Sequence, residues 1–226
     1  ALFFGETKPA EEAYAFFSSI STKDETAEAM LNLAKLYDSH SRNKELILFL
    51  ADFIKKDPKS PYRVKAHLMI VNSLETLKQR KEVVEQLKET AKVCETSSEW
   101  VSQNGSAYEE SCRDLFATTN IEIARKWWDI WLKNKHSKEI ADLTQQAFKI
   151  HLDRDDPLKP DIKSRYAYAE LLFQLDQFKV ASEQYENVAD KTDDASLKHD
   201  ADYGALFCYE KISEKNKEKK LNDEDE

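Results

Sequence analysis

Histidines, cysteines and clustered carboxylates are the side chains that could do chemistry in this chain of 226 residues. The five histidines are His40, His67, His136, His151 and His199. None stands in an HExxH setting or pairs with a cysteine at zinc spacing, so no zinc site is spelled out. Each reads as an ordinary surface or half-buried residue. The three cysteines, Cys94, Cys112 and Cys208, are odd in number and form no CxxC pair. Two readings stay open for them: buried reduced thiols, or a Cys94–Cys112 disulfide in an oxidising compartment. Serines lie in no GxSxG setting, and neither a P-loop nor a dinucleotide fingerprint occurs. Asp153-Arg154-Asp155-Asp156 is acidic enough for calcium but lacks the glycine and distal glutamate of a calcium loop. With Pro157 behind it, that stretch reads as a turn between helices. Among 43 acids, a carboxylate pair can be picked almost anywhere and identifies nothing. The expectation is a protein without catalytic residues, metal or cofactor.

Composition points to what holds these side chains. Only three glycines and five prolines are present, while charged residues make up 34%. Tight hairpins and phosphate-cradling loops need glycine to reach positive φ. A large sheet is therefore hard to build, and the Ala, Leu, Glu, Lys and Gln that dominate belong to exposed helices. The formal charge of −9 gives no general attraction to phosphate backbones, which disfavours nucleic acid. No apolar run approaches the ~20 residues of a membrane span.

Apolar residues recur at helical spacing almost throughout. The periodicity predicts about ten helices, over 9–19, 23–41, 43–56, 61–77, 81–95, 98–134, 138–152, 160–175, 178–191 and 195–216. The block 98–134 is broken near Asn104-Gly105-Ser106, and 217–226 is a charged, flexible tail.

Internal repetition is the most informative feature. In Tyr168–Tyr185, Ala169 lies on one helix and Ala181, twelve residues on, lies on the next; Phe178 closes the turn and Tyr185 follows. Small residues are needed where two antiparallel backbones approach, and aromatics fill the space beside them. Leu33-Ala34, Tyr37, Leu46 and Leu50 repeat the pattern, ended by Pro58. Val71, Leu74, Val83 and Leu87 make a third copy with the same twelve-residue step. Tyr203-Gly204 and Phe207 open a fourth, thirty-five residues after Ala169, against a usual period of about 34. It supplies a first helix only, as a terminal cap does.

On these residues the chain resembles the tetratricopeptide repeat family. The match covers 166–188 and 27–58, and more loosely 63–91 and 202–209. The block 97–152 departs from the pattern and reads as a diverged helical hairpin. The wording of Tyr168–Tyr185 is also similar to repeats of bacterial envelope-associated scaffold proteins, which favours the cell envelope or periplasm over the cytoplasm. The resemblance implies an all-α fold: a right-handed superhelical solenoid of antiparallel helix pairs in a single domain over 1–216.

It also implies a site. In this family the first helix of each pair lines a concave face that holds a peptide or a partner helix. Carried onto this sequence, the groove positions are Asn32, Lys35 and Ser39, then Arg63 and His67, then Tyr166, Glu170 and Phe173. Asn32 stands where carboxylate-binding members place an asparagine, but Glu170 has the wrong sign for a carboxylate clamp. A second patch is Trp127, Trp128 and Trp131. Either they pack a helix into the core from both sides, or they anchor a partner, since tryptophan is enriched at binding hot spots. Trp100 stands apart and is open to both readings.

The expectation is a non-catalytic scaffold or adaptor that binds a protein or peptide partner in its concave face. The rival is a structural segment that stacks with neighbouring domains or self-associates. The opening at Ala1 rather than methionine, with Ala1-Leu2-Phe3-Phe4 apolar, favours that rival.

Overall fold

The computed structural model describes residues 8–133, 137–154 and 160–224. In chain order they form α1 (Lys8–Ile20), α2 (Lys23–Ser39), α3 (Asn43–Lys56), α4 (Arg63–Thr76) and α5 (Arg80–Val93). The short α6 (Glu99–Gln103) and α7 (Gly105–Tyr108) lead into a π-helical segment (Glu109–Phe116) and α8 (Ala117–Lys133). Then come α9 (Lys138–Leu152), α10 (Ile162–Gln174), α11 (Phe178–Lys191) and α12 (Ala195–Glu224). Among the described residues there is no strand, and the chain is all-α. The acidic Asp155-Asp156-Pro157 stretch, His136 and the Ala1–Phe4 opening lie outside the described residues.

Local chemistry starts the helices. Thr22 and Glu25 form a capping box: the Glu25 amide donates to Thr22 Oγ1, and the Thr22 amide donates back to the Glu25 carboxylate at 2.8 Å. Two orphan donors at the head of α2 are thereby satisfied. Ser98, Ser137 and Asp161 cap α6, α9 and α10 through their side-chain oxygens.

The three best sequence copies share one turn. Ser41, Lys78 and Asp176 have φ of 56°, 58° and 58°, each seven residues after the small or β-branched residue of its copy, Ala34, Val71 or Ala169. At each, the left-handed residue donates its amide three residues back: Ser41 to Asp38, Lys78 to Glu75, Asp176 to Phe173. The next residue donates five back: Arg42 to Tyr37, Gln79 to Leu74, Gln177 to Leu172. This pair of bonds is the Schellman motif, which ends a helix and reverses the chain. The second helix of each pair then folds back on the first. Ala34, Val71 and Ala169 are buried, as are Leu46, Val83 and Ala181 twelve residues on. The repeated helix pair of an all-α solenoid is thus present as a backbone hydrogen-bond pattern.

The chain divides into two compact units, Ala1–Asn120 and Ile121–Glu226, with the boundary inside α8. The span 1–216 read as one domain covers parts of both.

In the first unit α4 packs against α3, α5 and the π segment, around Leu50, Phe53, Val64, Val71 and Leu87. Trp100 belongs to this core: it is buried, and its indole donates to the Ser60 carbonyl at 2.7 Å. Cys94, at the end of α5, is bonded to Cys112 of the π segment, with Cα atoms 5.5 Å apart. The disulfide was one of the two readings left open by the sequence; Cys208 is a buried free thiol.

In the second unit α10 lies between α9 and α11, and α11 packs on α12. Phe148, Tyr168, Leu171, Leu172, Tyr185 and Val188 fill its interior. The last helix runs past Asn216 to Glu224, into the stretch read as a tail, because lysine and glutamate are strong helix formers. Along the π segment and α8 the buried positions Cys112, Phe116, Asn120 and Ala124 recur every four residues. A π segment widens the turn beyond the 3.6 of an α-helix, which is why no repeat register fits here.

Candidate functional site

Most groove positions in the first unit keep their polar contacts local, His67 being the exception. Asn32 and Lys35 are exposed on α2, and Lys35 Nζ donates to Asn32 Oδ1 at 3.0 Å. Ser39 Oγ is turned back on the Leu36 carbonyl. Arg63, at the head of α4, is half-buried and donates from Nη1 to the Pro58 carbonyl at 3.1 Å. Burial lowers its pKa against the pull of Glu89. His67 is buried beside Gln86, whose side chain meets Nδ1. Burial, then the charge of Arg63, pushes its pKa down to about 4, although Glu89 works the other way. At neutral pH His67 is an uncharged core residue, off the surface where the resemblance put it.

The second unit brings its three predicted residues together. Tyr166, Glu170 and Phe173 follow one another along one face of α10. They line a hollow of about 230 Å³ with Tyr185 of α11 and with Asp200, Tyr203, Gly204 and Phe207 of α12. The aromatic rings are in mutual contact. Tyr166 meets Tyr185 edge-on at 5.7 Å, Phe173 stacks on Phe207 at 5.5 Å, and Tyr203 stacks on Phe207 at 6.2 Å. The Tyr185 hydroxyl donates to the Glu170 carboxylate. Gly204 lets α12 approach Tyr185 of α11 closely, since a Cβ there would stand 2.8 Å from Tyr185 Cε1.

Phe173, Gln174 and Phe207 also line a neighbouring hollow of about 420 Å³, with Asp176, Phe178, Lys211, Glu214 and Lys215. There Lys211 Nζ lies 5.4 Å from the Phe207 ring centre and Lys215 Nζ 4.6 Å from that of Phe178.

The electrostatics of the smaller hollow are those of a negative, half-dry site. Burial, then Glu170 and Asp200, pushes the Tyr166 phenol up to about 12. Burial and the Glu170 carboxylate also raise Tyr185, and they push the Cys208 thiol up to about 11. Phenols and a thiol held protonated are poor nucleophiles at neutral pH. One cluster elsewhere in the unit has the residue types of a hydrolase. Ser164 Oγ donates to Asp161, His151 Nε2 meets Asp161 Oδ2 at 3.2 Å, and Arg125 donates to Ser164 Oγ at 2.7 Å. The carboxylate stands between histidine and serine, so the imidazole does not face the hydroxyl as in a Ser-His-Asp triad, and Asp161 also accepts the Ser164 amide as the cap of α10. Although burial opposes it, these hydrogen bonds hold the Asp161 carboxyl well below the usual carboxylate range. Asp161 thus serves as the N-cap of α10.

Trp127 is fully buried and Trp131 nearly so, while Trp128 is half-exposed and stacked on Trp131 at 5.3 Å. The first two are core residues; of the three, only Trp128 reaches the surface. Among the described residues, no group of three or more His, Cys, Asp or Glu side chains could hold a metal ion. None of the described helices is long and apolar enough to cross a membrane.

Sequence reasoning found the α10 side of the hollow but missed Tyr185, Asp200 and Tyr203 as members. The signal available was the four-residue step from Tyr203 to Phe207, which puts both rings on one face of a helix.

No protein-family model matches the chain, and no curated protein matches it. Among solved structures it is similar to a Podosopora anserina protein described as a kinesin light chain with nearly identical TPR-like repeats. The identity is 16%, over 90% of this chain and 94% of that one, with a TM-score of 0.38. A second structure of the same description gives 15%, the same coverage and 0.36. The fold assignment rests on the three matching turns rather than on these scores. The likeness of Tyr168–Tyr185 to bacterial envelope repeats finds no support in the comparisons.

Proposed function

We propose that this chain is a non-catalytic interaction scaffold that holds a protein or peptide partner against the first helices of its repeats. The observation that supports this reading best is the open aromatic trough between α10 and α12. Rings preorganised by contact with one another offer binding area at low entropic cost. In the first unit, taken by itself, the candidate positions are Asn32 and Lys35 on α2 and Arg63 at the head of α4. Lys35 is exposed, so a change of its charge leaves the core intact.

The test is affinity capture by the full chain beside Lys35→Glu and Tyr203→Ala variants, after circular dichroism has shown equal helicity. Retention of a partner by wild type and its loss from either variant is the expected result. Equal recovery by all three would sink the reading.

A second reading, a structural segment that stacks on another copy or another domain, is favoured by exposed apolar side chains on α1 and α12. Phe16, Ile20, Tyr203, Leu206 and Tyr209 are between 49% and 67% exposed, a pattern that marks interaction surfaces. Sedimentation of the same preparations discriminates: stacking predicts a concentration-dependent oligomer that Leu206→Lys dissolves, and a monomer at all concentrations excludes self-association.

A further inference from the structure

We infer that the hollow formed by Tyr166, Glu170, Phe173, Asp200, Tyr203 and Phe207 is a cage for a lysine or arginine side chain of a partner's peptide segment. The inference rests on the scaffold reading and specifies the chemistry of what is held.

Two adjacent hollows on the same three helices carry the argument, because one is a template for the other. They share Phe173, Gln174 and Phe207. The larger has rings, carboxylates and its own cations. Lys211 lies over Phe207, Lys215 over Phe178, Lys211 also pairs with Glu214 at 2.9 Å, and Lys215 approaches Asp176 at 4.0 Å. The smaller has rings and the carboxylates of Glu170 and Asp200, but its lining holds no lysine or arginine. A cation over an aromatic face is drawn by the negative face of the ring, and the attraction grows when the site is partly dry. The smaller hollow offers that environment from two walls, α10 and α12, with a carboxylate on each.

Net charge and local potential favour a cationic guest over an anionic one, while exposure and volume set how it enters and how large it can be. The chain as a whole is acidic, with a formal charge of −9, which steers basic segments toward it. Tyr203 is 63% exposed, so its ring can close over a side chain that enters from solvent. Burial is the main cause of the raised pKa of Tyr166, and Glu170 and Asp200 add to it through their negative charge. A volume of about 230 Å³ suits one long side chain, not a folded domain. An aliphatic stem would lie along Phe173 and Phe207, with the charged head toward Glu170 and Asp200.

The experiment follows the aromatic ¹³C resonances of the full chain during titration with four probes. These are the capped pentapeptides Gly-Ala-Lys-Ala-Gly, Gly-Ala-Arg-Ala-Gly and Gly-Ala-Gln-Ala-Gly, and spermidine. The lysine and arginine peptides are expected to shift Tyr166, Tyr203 and Phe207, with affinity that falls as salt is raised, while the glutamine peptide leaves them in place. Tyr203→Ala and Asp200→Asn change exposed residues and should each weaken the cationic peptides by roughly three- to tenfold. Equal shifts from the glutamine peptide would overturn the cation assignment. Response to spermidine with none to either cationic peptide would do the same, by giving the hollow to a free polyamine. If a partner is captured through Tyr203 while lysine, arginine and glutamine peptides behave alike, the scaffold reading stands and the cage does not. If capture is indifferent to every variant, the scaffold reading falls first.

Discussion

At the residue scale, His67 shows how burial decides a charge. Its ring is 6% exposed beside Gln86 and is drawn down to a pKa of about 4, chiefly by desolvation and then by Arg63. In the unfolded chain the same imidazole titrates at about 6.5. Between those values the unfolded state binds a proton that the folded state refuses. Stability therefore falls as pH drops from 6.5 toward 4, and by pH 5 the loss amounts to roughly 2 kcal/mol. The groups facing the ring from its own helix and from α5, namely Arg63, Gln86 and Glu89, all remain in a His67→Gln variant. That variant should lose less stability than wild type between pH 7 and pH 5 in urea titrations. Equal acid sensitivity of the two proteins would show that His67 does not carry the effect.

At the element scale, the turns between paired helices repay inspection, because three of them use left-handed residues that are not glycine. Ser41, Lys78 and Asp176 each accept a φ that L side chains adopt at a cost. Lys78 is exposed, so its side chain contributes little packing to offset that cost. Lys78→Gly should raise stability by about 0.5–1 kcal/mol, read as a shift in the urea midpoint without a change in slope. A loss of stability would mean that the greater freedom of glycine in the unfolded chain outweighs the relief. The Schellman hydrogen bonds at the three sites are made by backbone atoms, which explains how Ser, Lys and Asp serve one role. For the same reason, the turn positions left no common letter in the sequence. What was legible was the spacing of the buried residues on either side, twelve apart in each copy.

At the scale of the molecule, the Cys94–Cys112 bond closes a loop with a sequence separation of 18 inside the first unit. A loop of that length removes about 3 kcal/mol worth of freedom from the unfolded chain in the chain-entropy account. Reduction, or Cys112→Ser, should destabilise the first unit by about that amount in thermal or urea unfolding. Alkylation before and after reduction counts the thiols released: one, from Cys208, without reductant and three with it, once the chain is unfolded. Three thiols without reductant would mean that the bond is absent in the protein as isolated.

Much of this architecture follows from sequence alone. Scarcity of glycine and a period of 3.6 make a large sheet hard to build whatever the tertiary arrangement, because both act locally. The repeat spacing located the helix pairs, since close backbone approach demands small or buried residues at set distances along the chain. Tyr166, Glu170 and Phe173 were placed together as groove positions by the resemblance to the repeat family. Long-range decisions were not legible. Whether Cys94 and Cys112 meet depends on where the π segment brings Cys112, and no local rule sets that distance. Trp127 and Trp131 became core and Trp128 partial surface through the packing of neighbouring helices, not through residue type. Asp200 and Tyr203 joined the α10 residues only because Gly204 lets α12 come close to Tyr185. Sequence determines what each helix offers on its faces; tertiary structure decides which faces meet, because that choice is settled by contacts between residues far apart along the chain.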